Sequence, residues 1–152
     1  MNIVLVEPEI PGNTGNIARL CAATGAELHL VKPLGFSIED KQLKRAGLDY
    51  WHLLTVHLYE NVEELFAGYP AGRFFYNTTK AKQNYAEIDF ATNDFIVFGK
   101  ETAGLPAELL AKNSDYCLRI PMVEDARSLN LSNAVAIVLY EALRQNAFSG
   151  LK

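Results

Sequence analysis

Short apolar segments alternate with amphipathic ones along the whole chain. An apolar run bounded by turn residues is typical of a strand that is buried on both faces of a parallel sheet. Such runs predict strands over residues 2–7, 27–31, 53–59, 73–77, 94–99 and 116–120.

Segments with helical periodicity and recognisable ends lie between these strands. Side-chain caps or a proline open them and glycines close several of them, as in helices of globular domains. The predicted helices are one capped by Asn13 or Thr14 and ended by Gly25, a short basic one opened by a capping box at 37–40 and stopped by Gly47, one capped by Asn61 with Glu64 and ending near Gly68, one with Pro106 in its first turn that runs through Ala111, and one from Ala134 to Arg144.

The alternation of strands and helices has a direct consequence for the fold. It predicts an α/β protein with a largely parallel sheet that is covered by helices on both faces. No repeat or linker interrupts the pattern, so residues 1–152 are expected to form one domain. Ligands of such sheets bind at loops beyond the carboxyl ends of the strands. Here those loops follow Glu7, Asn77, Gly99 and Ile120.

The stretch 120–144 combines a polar loop with a very apolar helix. The loop ends in Ser128, Asn130, Ser132 and Asn133, whose side chains are of the kind that cap helices and order loops. The helix has almost no polar break, so we expect it to be buried nearly all round, in a core or against a partner. This arrangement fits a rigid small-molecule pocket and a capped core helix equally well.

Composition limits the possible functions. The net charge of −4 argues against binding of nucleic acid through overall positive charge, although it is compatible with a local basic patch. The longest apolar run is far short of a membrane span, and the N-terminus lacks the features of a signal peptide. Cys21 and Cys117 lie in apolar patterns, as expected for reduced core residues. We therefore expect a cytoplasmic protein with no membrane association.

Several familiar sites are missing from the sequence. The chain has no G-x-G-x-x-G fingerprint for dinucleotides. Gly99 and Gly104 have the spacing of a phosphate-binding loop, but Leu105-Pro106 stands where Lys-Ser/Thr is required. The three histidines lack metal-ligand spacing with either cysteine. A catalytic Cys–His pair is not ruled out by spacing in the sequence, because such residues need only be close in space.

Three further segments follow one another in a characteristic order. They read EPEIPGNTGNIARLC at 7–21, FGKETAGLP at 98–106, and IPM at 120–122 followed by SLNLSN at 128–133. In this order and spacing they resemble the three motifs of the SPOUT RNA methyltransferases, and the resemblance covers nearly the whole chain. With KQLKRAGLDY at 41–50 and NTTK at 77–80, the chain is most similar to the minimal single-domain subgroup, the tRNA (cytidine/uridine-34-2′-O)-methyltransferases.

This resemblance implies a specific reaction. A methyl group passes from S-adenosylmethionine to the ribose 2′-hydroxyl of the wobble nucleotide of tRNA, a cytidine or modified uridine at position 34. Leucine isoacceptors are the expected substrates and the anticodon stem-loop is the expected contact. The family also implies a C-terminal trefoil knot, and a homodimer with each active site completed by the partner chain. It implies no metal.

The family's bent cofactor is held mostly by the backbone of three loops, which glycines allow a ligand to approach closely. Glu101 is expected either at the charged end of the cofactor or at a helix entry. The resemblance implies these cofactor-binding residues: Asn77, Thr78, Thr79, Gly99, Glu101, Gly104, Ile120, Met122, Ser128, Leu129 and Asn133.

Arg19 is the sharpest catalytic candidate. Asn13, Asn16 and Arg19 recur every third residue, as a polar stripe at the start of a helix. In related ribose methyltransferases the arginine of this motif is a proposed activator of the 2′-hydroxyl. A guanidinium stays protonated in proteins, so we expect Arg19 to hold the adjacent phosphate and to stabilise the developing alkoxide. Tyr140 is the second catalytic candidate. The alternative for Arg19 is a solvated helix face, and the alternative for Tyr140 is core packing.

Basic and amide side chains supply candidate RNA contacts. The predicted RNA-binding residues are Asn13, Asn16, Lys41, Lys44, Arg45, Lys80 and Arg127.

Two positions depart from the family. Gly12 stands where relatives often have a second proline, and Ala103 stands where a basic residue is common, so one possible RNA contact is missing. Two alternative functions therefore stay open: the same reaction on ribosomal RNA, and a non-catalytic RNA-binding protein of this fold.

Overall fold

The computed structural model describes residues 1–39, 41, 45 and 48–152. The strands are β1 (Asn2–Val6), β2 (Glu27–Val31), β3 (Val56–Tyr59), β4 (Phe74–Asn77), β5 (Phe95–Phe98) and β6 (Cys117–Leu118). They form one sheet in the order β3-β2-β1-β5-β4-β6, and every neighbouring pair is parallel. The predicted α/β fold with a largely parallel sheet is therefore confirmed.

The helices lie between the strands, as the alternation predicts. None of those in the described part of the chain is long and apolar enough to cross a membrane. They include α1 (Pro11–Thr24), α2 (Val62–Gly68), α3 (Ala107–Lys112) and α4 (Leu131–Gln145), with short 3-10 helices at Leu48–Leu53, Tyr85–Glu87 and Ser114–Tyr116.

The sheet separates two apolar cores, because successive side chains of a strand point to opposite faces. Ile3 and Leu5 of β1 pack in the core that includes the buried faces of α1 and α4. Val4 and Val6 enter the other core, which Leu65 of α2 completes and against which α3 packs. Helices thus cover both faces of the sheet, as predicted.

The start of α1 corrects the sequence analysis. The prediction made Asn13 or Thr14 the cap, but the helix begins at Pro11, and Ile10 at the cap position makes no side-chain capping bond. Proline suits the first helical position because its missing N–H would have no partner there. The predicted end is confirmed: Gly25 has φ 71°, and its N–H donates to the carbonyl of Cys21.

Two strands are three residues shorter than predicted, whereas the bounds of the others differ from the prediction by at most one residue at either end. Residues 48–53 form a 3-10 turn, so β3 begins at Val56 rather than at residue 53. The last strand holds only Cys117–Leu118 instead of 116–120. It is an edge strand, and beyond it only an isolated bridge joins Arg119 to Asn84. Pro121 then stops further pairing because it has no N–H.

Helix α4 also differs from its prediction. It begins at Leu131 rather than at residue 134, with Asn130 as its cap. One face is buried in the core, but Ile137 is 36% exposed and Tyr140 is 47% exposed. Of the two predicted surroundings, burial all round in the core of one chain is therefore excluded, and burial of the exposed apolar face against a partner stays a prediction.

The C-terminal segments cross the loop that precedes β5. The N–H of Tyr85 donates to the carbonyl of Arg119, whose own N–H donates to the carbonyl of Gln83. At the end of α4, Gln145 and Asn146 hold the backbone of residues 88–90 through side-chain hydrogen bonds. These contacts bring together the segments expected to form the trefoil knot, which stays a prediction.

The predicted short basic helix falls mostly on residues that the structure does not describe. Lys44 and Gly47 lie outside the described residues. Lys41 and Arg45 are helical and exposed.

Both cysteines are free and buried, as predicted. Burial raises the pKa of Cys21 to about 12. Since only the thiolate is a strong nucleophile, Cys21 is an inert core residue at neutral pH.

His29 is a fully buried polar residue on the middle of β2. Its Nδ1 lies 3.0 Å from the hydroxyl of Tyr59 and its Nε2 lies 3.1 Å from Oδ1 of Asn2. Because Asn2 Oδ1 can only accept, His29 Nε2 donates and Nδ1 accepts, which is the neutral ring. Burial, and secondarily the charge of the stacked His57, lowers the pKa of His29 from 6.5 to about 4.

We predict that the free energy of unfolding falls as the pH drops from 7.5. The unfolded state takes up a proton on His29 near pH 6.5, whereas the folded state takes it up only near pH 4, so the stabilisation is complete above pH 6.5 and is lost below it. The loss attributable to His29 is about 1 kcal/mol by pH 5.5 and about 3 kcal/mol by pH 4. Urea unfolding of the wild type and of His29→Gln, at pH 7.5 and at pH 4, measures this loss. If the free energy of unfolding of the two proteins fell in parallel with pH, the assignment to His29 would be contradicted.

Candidate functional site

A cavity of about 580 Å³ opens at the carboxyl ends of β4, β5 and the short β6. This is the edge at which parallel sheets bind their ligands. Its walls come from the ends of β4 and β5, the loop 99–105, and the loop 120–131 that leads into α4. The volume lies within the usual range for small-molecule sites.

Asn77 ends β4 in the wall of the cavity. Its Oδ1 is buried without a hydrogen-bond partner among the described residues, and a buried acceptor of this kind is costly. Phe98, Leu105 and Ile120 supply apolar surface to the cavity. The cavity therefore combines polar and apolar walls, as suits an amphipathic ligand.

The loop after β5 closes back on itself. The N–H of Gly104 donates to the carbonyl of Lys100 over 2.8 Å, and Gly104 has φ 69°. A Cβ built on Gly99 would lie 2.0 Å from the carbonyl carbon of Gly104 and 2.2 Å from the nitrogen of Leu105. Since both are backbone atoms, only glycine fits at position 99 without opening the loop.

The loop between β1 and α1 packs on the outer side of the β5 loop. Both the N–H and the hydroxyl of Thr102 donate to the carboxylate of Glu9, and these bonds lower the pKa of Glu9. Lys100 Nζ lies 2.8 Å from Glu7 Oε2, and that hydrogen bond raises the pKa of Lys100. Glu7 itself has φ 52°, an uncommon conformation for a residue other than glycine. The two loops are thus held together by side-chain contacts.

Glu101 lines the cavity, but its carboxylate points at the start of α1. It accepts from the N–H of Glu9 at 2.8 Å, from the N–H of Ile10 at 3.1 Å and from Asn13 Nδ2 at 3.2 Å. Of the two places expected for Glu101, the helix entry is therefore the one at which its hydrogen bonds lie.

Asn130 carries this network into the third loop. Its Nδ2 donates to Asn13 Oδ1 at 3.0 Å, and its Oδ1 accepts from the N–H and hydroxyl of Ser132 and from the N–H of Asn133. Asn130 therefore caps α4 and joins it to α1, which agrees with the expectation that this residue orders the loop. Asn13, expected to contact RNA, is only 8% exposed and is bonded on both sides of its amide.

The structure brings together most of the predicted site. Every predicted cofactor-binding residue except Asn133 lines the cavity, and so do Asn13, Lys80 and Arg127 from the predicted RNA contacts. Asn16, Lys41 and Arg45 are exposed on the surface away from its walls. Three further residues of this region, Glu9, Lys100 and Thr102, have no local signal in the sequence, because their contacts join loops about 90 residues apart.

The two catalytic candidates lie outside the cavity of their own chain. Arg19 is exposed, with its guanidinium carbon 4.8 Å from the centre of the Tyr50 ring, a cation–π distance. Tyr140 is on the exposed face of α4. Neither residue is among those that line the cavity.

One group of three side chains in the described part of the chain has the spacing of a metal site, namely Glu27, His29 and His57. The two imidazole rings are stacked at 4.6 Å with 15° between their planes, and His57 Nε2 lies 2.7 Å from Glu27 Oε2. In-plane lone pairs of nearly parallel rings do not converge on one ion. None of the three lines the cavity.

Comparison with known proteins agrees with this geometry. The model of the SpoU rRNA Methylase family matches residues 1–140. A tRNA (cytidine(34)-2′-O)-methyltransferase of Methylovorus glucosotrophus is 53% identical, over 98% of this chain and 97% of its own.

Solved structures give the same result. One described as structural insights into the 2-OH methylation of C/U34 on tRNA is 41% identical, with a TM-score of 0.92 over 96% of this chain and 95% of its own. The SpoU methyltransferase AviRb from Streptomyces viridochromogenes, in complex with the cofactor AdoMet, is 26% identical, with a TM-score of 0.88 over 100% of this chain and 59% of its own. The chain therefore belongs to the SpoU rRNA methylase family, and it is a methyltransferase.

Proposed function

We propose that this protein transfers a methyl group from S-adenosylmethionine to the 2′-hydroxyl of the wobble nucleotide of tRNA, a cytidine or modified uridine at position 34. The observation that carries the proposal is the cavity bounded by all three motif loops, which brings together ten of the eleven predicted cofactor-binding residues. The Methylovorus relative is named for this reaction at cytidine 34. Leucine isoacceptors are the proposed substrates, and the proposed enzyme is a single cytoplasmic domain over residues 1–152.

The residues of the cavity fit S-adenosylmethionine. Leu105 and Ile120 in its wall suit an adenine ring, and Gly104 has no side chain to keep a ligand away from its backbone. AviRb, a structural relative, binds this cofactor. When bound, S-adenosylmethionine supplies a methyl group that its sulfonium makes electrophilic.

The task of the protein is then to hold the ribose and to help its hydroxyl lose a proton. Arg19 is the proposed group at the hydroxyl. Its guanidinium keeps its charge and presents several donors in one plane, so it binds the neighbouring phosphate and stabilises the alkoxide as it forms. Tyr140 is proposed beside it.

A homodimer would bring these residues to the cavity. Arg19 and Tyr140 lie outside the cavity of their own chain, and α4 presents Ile137 and Tyr140 to solvent. In a two-fold dimer the same patch of both chains meets, so the exposed face of α4 would be buried and Arg19 of one chain could approach the cavity of the other. Lys80 and Arg127 at the cavity are the proposed contacts to the anticodon stem-loop.

Ribosomal RNA is the second candidate substrate, and the family's description as rRNA methylases favours it. The two candidates differ in the RNA that accepts the methyl group. We predict that the purified protein, given S-adenosylmethionine and tRNA from cells lacking the gene, forms 2′-O-methylcytidine or a 2′-O-methyluridine derivative at the first anticodon base. Digestion and mass spectrometry of the nucleosides measure it. If methylation were found only in ribosomal RNA, that RNA would be the substrate instead.

We predict that Arg19→Ala abolishes methyl transfer, because the phosphate and the developing alkoxide lose their cation. Since Arg19 lies outside the cavity, the affinity for S-adenosylmethionine should stay within about threefold, as calorimetry would measure. Full activity in this variant would contradict the role of Arg19. Arg19→Lys is the matched control that keeps the charge and loses the planar fork.

Mixed dimers test where Arg19 acts. The mixture is assayed at a cofactor concentration too low for the Gly99→Ala cavity to fill. If each cavity uses the partner's Arg19, Arg19→Ala chains mixed with Gly99→Ala chains regain activity, because one cavity then has both an intact wall and an arginine. If each chain uses its own Arg19, the mixture stays inactive.

We predict that Gly99→Ala weakens binding of S-adenosylmethionine by at least about tenfold. The added Cβ meets backbone atoms at 2.0–2.4 Å, so the loop must open, and overpacking of this kind costs about 1–3 kcal/mol of stability. Gly68→Ala is the control, because a Cβ there meets nothing within 4 Å. Calorimetric titration and thermal melts of both variants measure the effect; unchanged affinity in Gly99→Ala would place the cofactor elsewhere.

A further inference from the structure

Three hydrogen-bond donors converge on the carboxylate of Glu101. Two are backbone N–H groups at the start of α1, those of Glu9 and Ile10, and the third is the side-chain amide of Asn13. The first N–H groups of a helix have no partner inside it, and Ile10 at the cap position has no side chain able to serve them. Glu101, in the loop after β5, thus accepts hydrogen bonds from the N-terminal end of α1.

The donor and the acceptor can be assigned in each hydrogen bond that joins Asn130, Asn13 and Glu101. Asn130 must turn its oxygen toward the N-terminus of α4, since only donors lie there: the N–H groups of Ser132 and Asn133. Its Nδ2 then faces Asn13, which must accept with Oδ1. Asn13 is left to donate with Nδ2, and that donor points at position 101.

It follows that position 101 needs a group that accepts and never donates. A carboxylate meets this need at both oxygens. A glutamine has the same size, but its amide nitrogen would face a donor wherever it is placed. A donor against a donor costs more than a missing bond, because both groups stay unsatisfied.

We propose that Glu101 is a positioning residue for methyl transfer, which sets α1, and with it Arg19, in a fixed relation to the cavity loop and to α4. The proposal rests on the proposed function. Glu101 belongs to the cavity loop, Asn13 to the helix that carries Arg19, and Asn130 caps the helix that carries Tyr140. The proposal gives Glu101 no contact with the reacting atoms. Displacement of catalytic groups by even about 1 Å can cost about a hundredfold in rate.

A swap of polarity tests this directly. Glu101→Gln places a donor against the donors of α1, and Asn13→Asp places a carboxylate against the carboxylate of Glu101. In the double variant the amide at position 101 donates to the carboxylate at position 13, so the link is remade in the opposite direction. The oxygen at position 101 still accepts from the N–H of Glu9, and the carboxylate at position 13 still accepts from Asn130. The N–H of Ile10 loses its acceptor, so the link is remade only in part.

We expect each single variant to lower kcat at saturating cofactor by at least about tenfold, and the double variant to recover at least about half of that loss on a logarithmic scale. Affinity for S-adenosylmethionine should stay within about threefold in all three. Glu108→Gln is the matched control, since Glu108 is an exposed carboxylate seven residues along that pairs only with Lys112 among the described residues. It should behave as the wild type.

Other roles for Glu101 give different results. If its carboxylate binds the charged end of the cofactor, Glu101→Gln weakens cofactor binding and Asn13→Asp does not restore it. If it is the general base, the acid limb of the kcat–pH profile disappears in Glu101→Gln and the double variant stays inactive. Either pattern, or single variants with wild-type kcat, would overturn the positioning role.

Hydrogen exchange separates this proposal from the proposed function. We expect faster amide exchange in residues 9–16 in each single variant, with protection returning in the double variant. A wild type that methylates no RNA would contradict the proposed function alone, because exchange in the same variants still reports on the link. Unchanged exchange in Glu101→Gln would overturn the link itself.

Discussion

The contact of the Glu101 carboxylate with the start of α1 is the interaction on which the site depends. It joins parts of the chain about 90 residues apart, with donor–acceptor distances of 2.8–3.2 Å. Through Asn13 and Asn130 the same chain of bonds reaches the cap of α4. The three motif loops therefore behave as one polar structure at the carboxyl edge of the sheet, although each is built on a different strand.

The cavity follows from the way that these loops are anchored. Gly99 allows the β5 loop to close within van der Waals contact of its own backbone, and the pairs Glu9–Thr102 and Glu7–Lys100 hold that loop against the loop after β1. These exposed pairs contribute little free energy individually. Their importance is geometric, because each fixes the register between two loops that share no secondary structure.

The exposed face of α4 and the position of Arg19 have a common explanation in the proposed dimer. A single chain provides the cavity but leaves its two catalytic candidates in solvent. The proposed two-fold arrangement would account for both observations at once, because it would bury the apolar face and supply a cation from the partner. The negative net charge of the chain then matters less than the local cations, which are Lys80 and Arg127 in the cavity wall and, in the proposed dimer, Arg19.

Much of the fold and of the site was determined by the sequence itself. The apolar runs predicted the strands, since burial on both faces requires them. The motif residues 77–79, 99–104, 120, 122, 128 and 129 line the cavity because strands of a parallel sheet end at one edge. Local chemistry also located the end of α1 at Gly25 and the cap of α2 at Asn61.

Only the tertiary structure decided how these pieces act together. A local capping rule misplaced the start of α1, because the N–H groups just before it are bound by a carboxylate from another loop. Hydropathy alone predicted burial all round α4 in a core or against a partner, and it does not tell the two apart. The role of Glu101 was undetermined for the same reason: hydrogen bonds between distant loops depend on three-dimensional proximity, for which a single sequence carries no periodic signal.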